Sequence, residues 1–273
     1  FFDKMAFFNS ARRLSIMITG ATSGIGKDTA LKYANASPGI KLIVAGRRSN
    51  LLDEVVSEIN ALNNGSSAHP MVVDVSDRAA IFKAVENIPK EYADIRVLVN
   101  NAGLALGTNG IGDGDVDDWE TMIDVNCKGL LYATKAVLPG MLERKDGYIV
   151  NIGSVAGNYA LPGGNVYCGT KAFVNHLSLA MRGDLIGKGV RVTSIEPGNT
   201  ETEFSVTRFG GDADKAGAVY ATEQEGVRAA CTGGDVAEII YFATETLPKH
   251  VNINRLEVMP ERQGFGPFQF NRS

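Results

Sequence analysis

A serine, a tyrosine and a lysine stand in one stretch, GSVAGNYALPGGNVYCGTK (153–171), as Ser154, Tyr167 and Lys171. Tyr167 and Lys171 are four apart, so on a helix they share one face, one turn from each other. A free phenol has a pKa of about 10. A nearby ammonium favours the phenolate and moves that value toward working pH, where acid–base catalysis is efficient. A hydroxyl beside the phenol can donate a second hydrogen bond to an oxygen that gathers negative charge. The trio therefore suits protonation of a carbonyl oxygen, or deprotonation of an alcohol. Singly, each residue reads as packing, a solvated charge or a turn. Their weight depends on what the rest of the chain places beside them.

Short apolar runs alternate with helical stretches along the chain. The strands read as LSIMIT (14–19), KLIVAG (41–46), HPMVVDV (69–75), IRVLVNNAG with its exit loop (95–103), GYIVNIGS (147–154), VRVTSIEPG (190–198) and NRLEVMP (254–260). Helices are expected near 24–36, 50–62, 77–87, 116–144, 164–187 and 235–245, with an insertion over 199–232. In the second helix Leu52, Val55, Val56 and Ile59 recur at helical spacing. Continuous runs such as IMI, LIV, VLV and YIV suit strands covered on both faces. Strand–helix alternation of this length implies βαβ units and a parallel sheet. The expected fold is a single α/β domain over 1–273: a doubly wound Rossmann fold of about seven parallel strands with helices on both faces. Residues 1–13 would form an N-terminal arm and 261–273 a C-terminal tail.

The first strand runs into TGATSGIG (19–26) and then a helix. Gly20 permits a sharp exit from the strand, Gly24 lets backbone approach a pyrophosphate, and Gly26 lets the helix pack on the sheet. With Thr22, Ser23 and Ile25 they form a loop whose helix N-terminus offers N–H groups to phosphates. The second strand ends in AGRRSN, with Arg47 and Arg48 where NAD binding usually places an acid. Two guanidiniums there suit a 2′-phosphate, so the expected cofactor is NADP(H). Asp74 ends the third strand, where it could accept a hydrogen bond from an adenine amino group, with Val75 beside it. Ligands in open α/β sheets bind outside the carboxyl ends of the strands, where these segments and Ser154 meet.

Composition narrows the remaining classes. The chain has 273 residues, 44% hydrophobic and 21% charged, with a net charge of −4. That balance disfavours a general nucleic-acid or membrane binder, and the apolar runs are too short to span a bilayer. A globular chain of this length buries about three quarters of its unfolded surface, so it needs no staple. The cysteines at 127, 168 and 231 form no CxxC pair, which suits reduced thiols in a cytoplasmic protein. The histidines at 69, 176 and 250 match no ligand spacing, so no metal is expected. The opening FFDKMAFFNSARR lacks the charged-then-hydrophobic order of a signal peptide. Cys168, Asp124 and Glu196, although near the motifs, read as structural.

TGATSGIG, NNAG, IVNIGSVAG, YCGTK and EPGNTETEF, in this order and spacing, resemble the compact short-chain dehydrogenases/reductases over residues 14–260. The resemblance implies that Tyr167 is the proton donor. Lys171 would tune the phenol and bond the nicotinamide ribose, Ser154 would hold the substrate oxygen, and Asn126 would organise a proton-relay water. It implies further that Asn101, Ala102 and Gly103 line the adenine ribose. Pro197, Gly198, Thr200 and Thr202 would hold the nicotinamide carboxamide. The family more often has a β-branched aliphatic residue where Thr200 stands, at a contact usually made through backbone. NNAGLALG, SVAGNYALPGGNVYCGTKAFV and EPGNTETEFSVTRF are similar to a subgroup, the NADP-dependent 3-hydroxy acid (serine or L-allo-threonine) dehydrogenases. The implied activity is hydride transfer at the 3-hydroxyl or 3-keto group of a small hydroxy acid. Arg208 in the insertion is a candidate partner for a substrate carboxylate, since a guanidinium fork fits two oxygens. The alternatives are a broad carbonyl reductase for ketones or aldehydes and a non-catalytic NADP sensor. The resemblance also implies a tetramer or dimer built through the long helices near 116–144 and 164–187, and a homotetramer is expected.

Overall fold

The structure is a computed structural model that describes residues 14–218 and 230–264. The N-terminal arm, residues 219–229 of the insertion, and the tail phenylalanines Phe265, Phe268 and Phe270 lie outside the described residues.

Each strand leads into a helix. β1 (Ser15–Thr19) passes to α1 (Gly24–Ala36), β2 (Lys41–Gly46) to α2 (Ser49–Ala61), and β3 (Ser67–Val72) to α3 (Arg78–Glu86). β4 (Ile95–Asn100) precedes α4 (Val116–Ile123), a π-helical turn (Asp124–Gly129) and α5 (Leu130–Arg144). β5 (Gly147–Ile152) leads to α6 (Asn165–Asp184), and β6 (Val190–Pro197) to the short β7 (Thr200–Glu201), α7 (Phe204–Arg208) and α8 (Ala213–Ala218). β8 (Cys231–Thr232) pairs with β7, and α9 (Gly233–Tyr241) precedes β9 (Arg255–Val258). The main sheet has seven strands in the order β3-β2-β1-β4-β5-β6-β9, all paired in parallel. Sequence order reverses at β1 and β4, and a crevice opens there outside the strand ends.

Side chains on a strand alternate between faces, and the core divides accordingly. Ile16, Ile18, Leu42 and Val44 face one way and pack with Tyr33 of α1, Leu52 and Val55 of α2, and Val236 and Ile240 of α9. Met17, Ile43, Leu98 and Ile149 face the other way and pack with Ile81 of α3, Met122 of α4, and Val137 and Met141 of α5. Helices on both faces explain why the strands read as unbroken apolar runs.

Three departures from the sequence expectation have a visible physical cause. β3 stops at Val72, not 75, because its partner β2 ends at Gly46, the residue that pairs with Val72. The helix expected over 116–144 contains a π-helical turn at 124–129 that places Asn126 inward. The last helix starts at Gly233, where Thr232 and Asp235 form a reciprocal capping box, and ends in a second π-helical turn, Phe242–Thr246. Among the described residues no helix is long and apolar enough to cross a membrane, and no His/Cys/Asp/Glu group could hold a metal ion.

Candidate active site

The crevice is a cavity of about 700 Å³. Every site residue singled out above lines it except Gly26 and Asn126.

At one end lies the β1–α1 turn. Gly20 has φ +66°, and a Cβ there would sit 2.8 Å from the Ala102 Cα. A Cβ on Gly26 would come within 2.3 Å of the Gly20 carbonyl oxygen, so only glycine lets α1 start against the strand exit. Gly24 (φ +51°) admits a further neighbour: its Cβ would meet the Thr202 side chain at 3.0 Å, so it lets the loop after β6 come close. Ser23 precedes α1 in extended conformation and makes no side-chain cap bond. The first helical N–H groups thus keep their capacity for an anion.

The arginines lie across this turn. Arg48 donates from Nη2 to Thr22 Oγ1 (2.7 Å) and Ser23 Oγ (3.0 Å), and from Nη1 to Glu203 (3.0 Å). Arg47 sits 3.6 Å from Asp74. The Asp74 Oδ1 accepts from both the N–H and the hydroxyl of Ser76, at 2.9 and 2.7 Å. Burial pulls the Asp74 carboxyl upward, but the Ser76 bonds and Arg47 outweigh it and hold the group below its ordinary value. Asp74 is therefore an ionised acceptor already paired within its own loop. The Asn101 side chain donates to the carbonyls of Thr19 and Gly20, both at 3.0 Å, and so braces the exit of β1.

At the other end stand the three residues of the opening motif. Ser154 is buried at the end of β5, accepts from the Ala156 N–H (3.1 Å) and donates to the Pro197 carbonyl (3.3 Å). Tyr167 and Lys171 lie in α6, with the ammonium nitrogen 5.9 Å from the phenol ring centroid. Lys171 is only 6% exposed and donates to the Ile152 carbonyl at 2.9 Å. Burial lowers its pKa from 10.5 to about 8, against a small upward pull from Cys127.

Asn126 serves from behind. Its Oδ1 accepts from the Leu104 N–H (2.9 Å), and its Nδ2 donates to the Leu104 carbonyl (2.8 Å) and Thr170 Oγ1 (3.0 Å). The side chain ties the loop after β4 to α6 rather than facing the cavity. π-Helical turns of this kind recur at functional sites.

The loop after β6 closes the crevice. Thr200 Oγ1 bonds the Gly198 carbonyl (3.1 Å), and Thr202 Oγ1 accepts from the Phe204 N–H (3.3 Å). Arg208 lines the cavity, and its buried Nε has no hydrogen-bond partner among the described residues. Among the lining residues that the sequence reading did not single out are Glu203, Phe204 and Gln263. Glu203 bonds Arg48, Phe204 lies 5.5 Å from the Tyr167 ring between centroids, and Gln263 accepts from the Asn199 N–H at 2.6 Å. No spacing marks them, since the Arg48–Glu203 contact joins residues 155 apart in sequence.

Comparisons with known proteins identify the family. A family model described as short chain dehydrogenase matches residues 15–211. The chain is 47% identical over 259 residues to the NADP-dependent 3-hydroxy acid dehydrogenase YdfG of Salmonella typhi, covering 94% of this chain and 99% of that protein. It is 46% identical over 258 residues to the serine 3-dehydrogenase of Rhizobium radiobacter, covering 94% and 98%. A solved closed form of serine dehydrogenase complexed with NADP+ superposes with a TM-score of 0.87 at 45% identity, covering 95% of this chain and all of that one.

Proposed function

The chain belongs to the short-chain dehydrogenase family, and on that premise we propose that it moves hydride between NADP(H) and the 3-hydroxyl or 3-keto group of a small hydroxy acid. The observation that carries this reading is the sharing of one cavity. Ser154, Tyr167 and Lys171 open into the same space as the arginine pair and Arg208.

The residues present fit a 2′-phosphorylated dinucleotide. The turn is cut back at Gly20 and Gly26, where a Cβ would strike backbone. Uncapped N–H groups stand at the start of α1, and two guanidiniums flank the second strand's exit. Gly20, Gly24 and Ile25 would hold the pyrophosphate, and Ser23 would stand beside the 2′-phosphate. Arg48 and Arg47 would hold the 2′-phosphate, and Pro197, Gly198, Thr200 and Thr202 the nicotinamide end. When bound, the nicotinamide supplies or accepts hydride at its C4.

The protein's own part is to hold and move a proton. In the reducing direction the Tyr167 hydroxyl gives its proton to the substrate oxygen, while Ser154 Oγ donates a second hydrogen bond to it. Ser154 is free to do so because its bond to the Pro197 carbonyl, at 3.3 Å, is long and exchangeable. Lys171 stabilises the phenolate left behind and, with a pKa of about 8, can return a proton at physiological pH. In the oxidising direction the same atoms run in reverse. Arg208 is proposed to pair with the substrate carboxylate, since it lines the cavity and a guanidinium fork fits two oxygens.

The test is NADP+ reduction by the purified enzyme over a panel of small 3-hydroxy acids, serine and neutral alcohols. A preference for the acids supports the reading, and a preference for neutral alcohols replaces it by a broad carbonyl reductase. The ring of Phe204 beside Tyr167 gives that second reading its apolar surface. Tight NADPH binding with no turnover of any substrate would instead mark a cofactor sensor. We further propose a cytoplasmic homotetramer. The three free cysteines suit a reducing compartment. Ile123, Leu131, Phe173 and Leu179 are exposed in the 116–184 helical region, where subunits could meet. Light scattering at micromolar protein that gives a monomer would contradict the tetramer.

A further inference from the structure

Arg48 has two duties that conflict. Its guanidinium is one of the groups a 2′-phosphate would need, yet its Nη1 already holds the Glu203 carboxylate at 3.0 Å. Ser23, at the start of α1, hydrogen-bonds the same carboxylate. Glu203 thus occupies two donors at the end of the cavity flanked by the arginine pair. It also sits immediately before α7, the helix that carries Phe204 against Tyr167 and ends at Arg208.

We propose that Glu203 is a specificity-determining residue for the cofactor: its carboxylate stands in for the 2′-phosphate on Arg48 and Ser23, and tethers α7 there until a 2′-phosphorylated nucleotide displaces it. The inference rests on the NADP(H) reading above. A phosphate monoester carries about −1.5 to −2 charge at pH 7 and three acceptor oxygens, against one charge and two oxygens for a carboxylate. Both anions cannot crowd one guanidinium without like-charge repulsion. The Arg48–Glu203 pair is about half exposed on both sides, and such pairs are weak. The stronger anion therefore wins Arg48. A nucleotide without the 2′-phosphate has nothing to displace Glu203 with, so α7 stays tethered. The phosphate that distinguishes the cofactor is thereby linked to the helix that meets the substrate, although the two are at opposite ends of the cavity.

Two minimal probes isolate the phosphate: adenosine 2′,5′-bisphosphate, and 5′-AMP, which lacks the 2′ group. Calorimetry on the full-length wild type and Glu203→Gln measures both dissociation constants. Glu203→Gln removes the competing charge, so the preference for the bisphosphate over 5′-AMP should rise about two- to fivefold. Hydrogen exchange of the 204–211 amides reads the tether. In Glu203→Gln it should be fast without nucleotide, and in the wild type it should reach that rate only with the bisphosphate. A wild-type preference that Glu203→Gln leaves unchanged, or exchange that the substitution does not accelerate, overturns this proposal alone. A wild type that binds the bisphosphate no better than 5′-AMP overturns the NADP reading and this proposal with it.

Discussion

Lys171 is held in a place that suits the proposed proton transfer and costs stability, and the cost can be measured. The residue is 6% exposed, and its amine has a pKa of about 8, against 10.5 for a free lysine, because burial disfavours the charged form. Between those values the unfolded chain binds the proton and the folded chain does not, so folding stability rises with pH through that window. Below about pH 8 the folded protein carries a buried ammonium, and the penalty is fully present. At 1.36 kcal/mol per pKa unit it is about 3 kcal/mol at pH 7, about 2 at pH 9 and about 1 at pH 10. Lys171→Met keeps the apolar stem and removes the titration. It also removes the hydrogen bond to the Ile152 carbonyl, a loss of about 1–2 kcal/mol with little pH dependence. The cofactor-free variant is therefore expected to be more stable than wild type at pH 7 by about 1–2 kcal/mol while losing turnover. That advantage should shrink by about 2 kcal/mol between pH 7 and pH 10. Urea denaturation of both proteins at equal concentration, at pH 7, 8, 9 and 10, gives the difference directly. A difference that stays flat across this range would refute the reasoning, whatever its sign at pH 7.

Tyr167→Phe removes only the phenolic oxygen, so turnover should fall by about 10²–10⁴-fold while NADPH affinity, followed by fluorescence, stays close to wild type. Equal activity would remove Tyr167 from the proton transfer. Gly26→Ala places a Cβ 2.3 Å from the Gly20 carbonyl, and α1 must shift. Such overpacking should cost about 1–3 kcal/mol in denaturant titrations, with weaker NADPH binding because the displaced N-terminus no longer faces the phosphates. An alanine that changes neither would show that the turn has slack. Arg208→Ala should raise KM for a 3-hydroxy acid by about tenfold or more, from one lost charged pair, and leave a neutral alcohol nearly unaffected. Equal losses on both substrates would remove carboxylate pairing from the account.

Much of the architecture could be read in advance because it is written in local patterns. Unbroken apolar runs such as IMI and LIV encode strands covered on two faces, and the glycine turn encodes the tight start of α1. Both depend on neighbours a few residues away. The site was legible for a related reason. Tyr167 and Lys171 share a helix, Ser154 ends a strand, and each motif lies at a carboxyl end of the sheet, where ligands in such folds bind. The end of β3 was not legible, since it is set by where β2 stops. The inward turn of Asn126 was not legible either, because a π-helical turn inside 116–144 leaves no mark in apolar spacing.

The sequence by itself therefore determined the fold class, the glycine turn with its basic pair, and the serine, tyrosine and lysine that line one cavity with them. Local propensity and hydrophobic periodicity suffice for these. Only the tertiary structure decided how those groups are partnered. It spent Asn126 on Leu104, Asn101 on the exit of β1 and Asp74 on Ser76, left Arg208 Nε without a partner among the described residues, and set Glu203 on Arg48. Most of these contacts join separate elements, and the Arg48–Glu203 contact spans 155 residues. Which donor meets which acceptor at that range depends on the packing of the sheet and its helices, and no spacing in the chain encodes it.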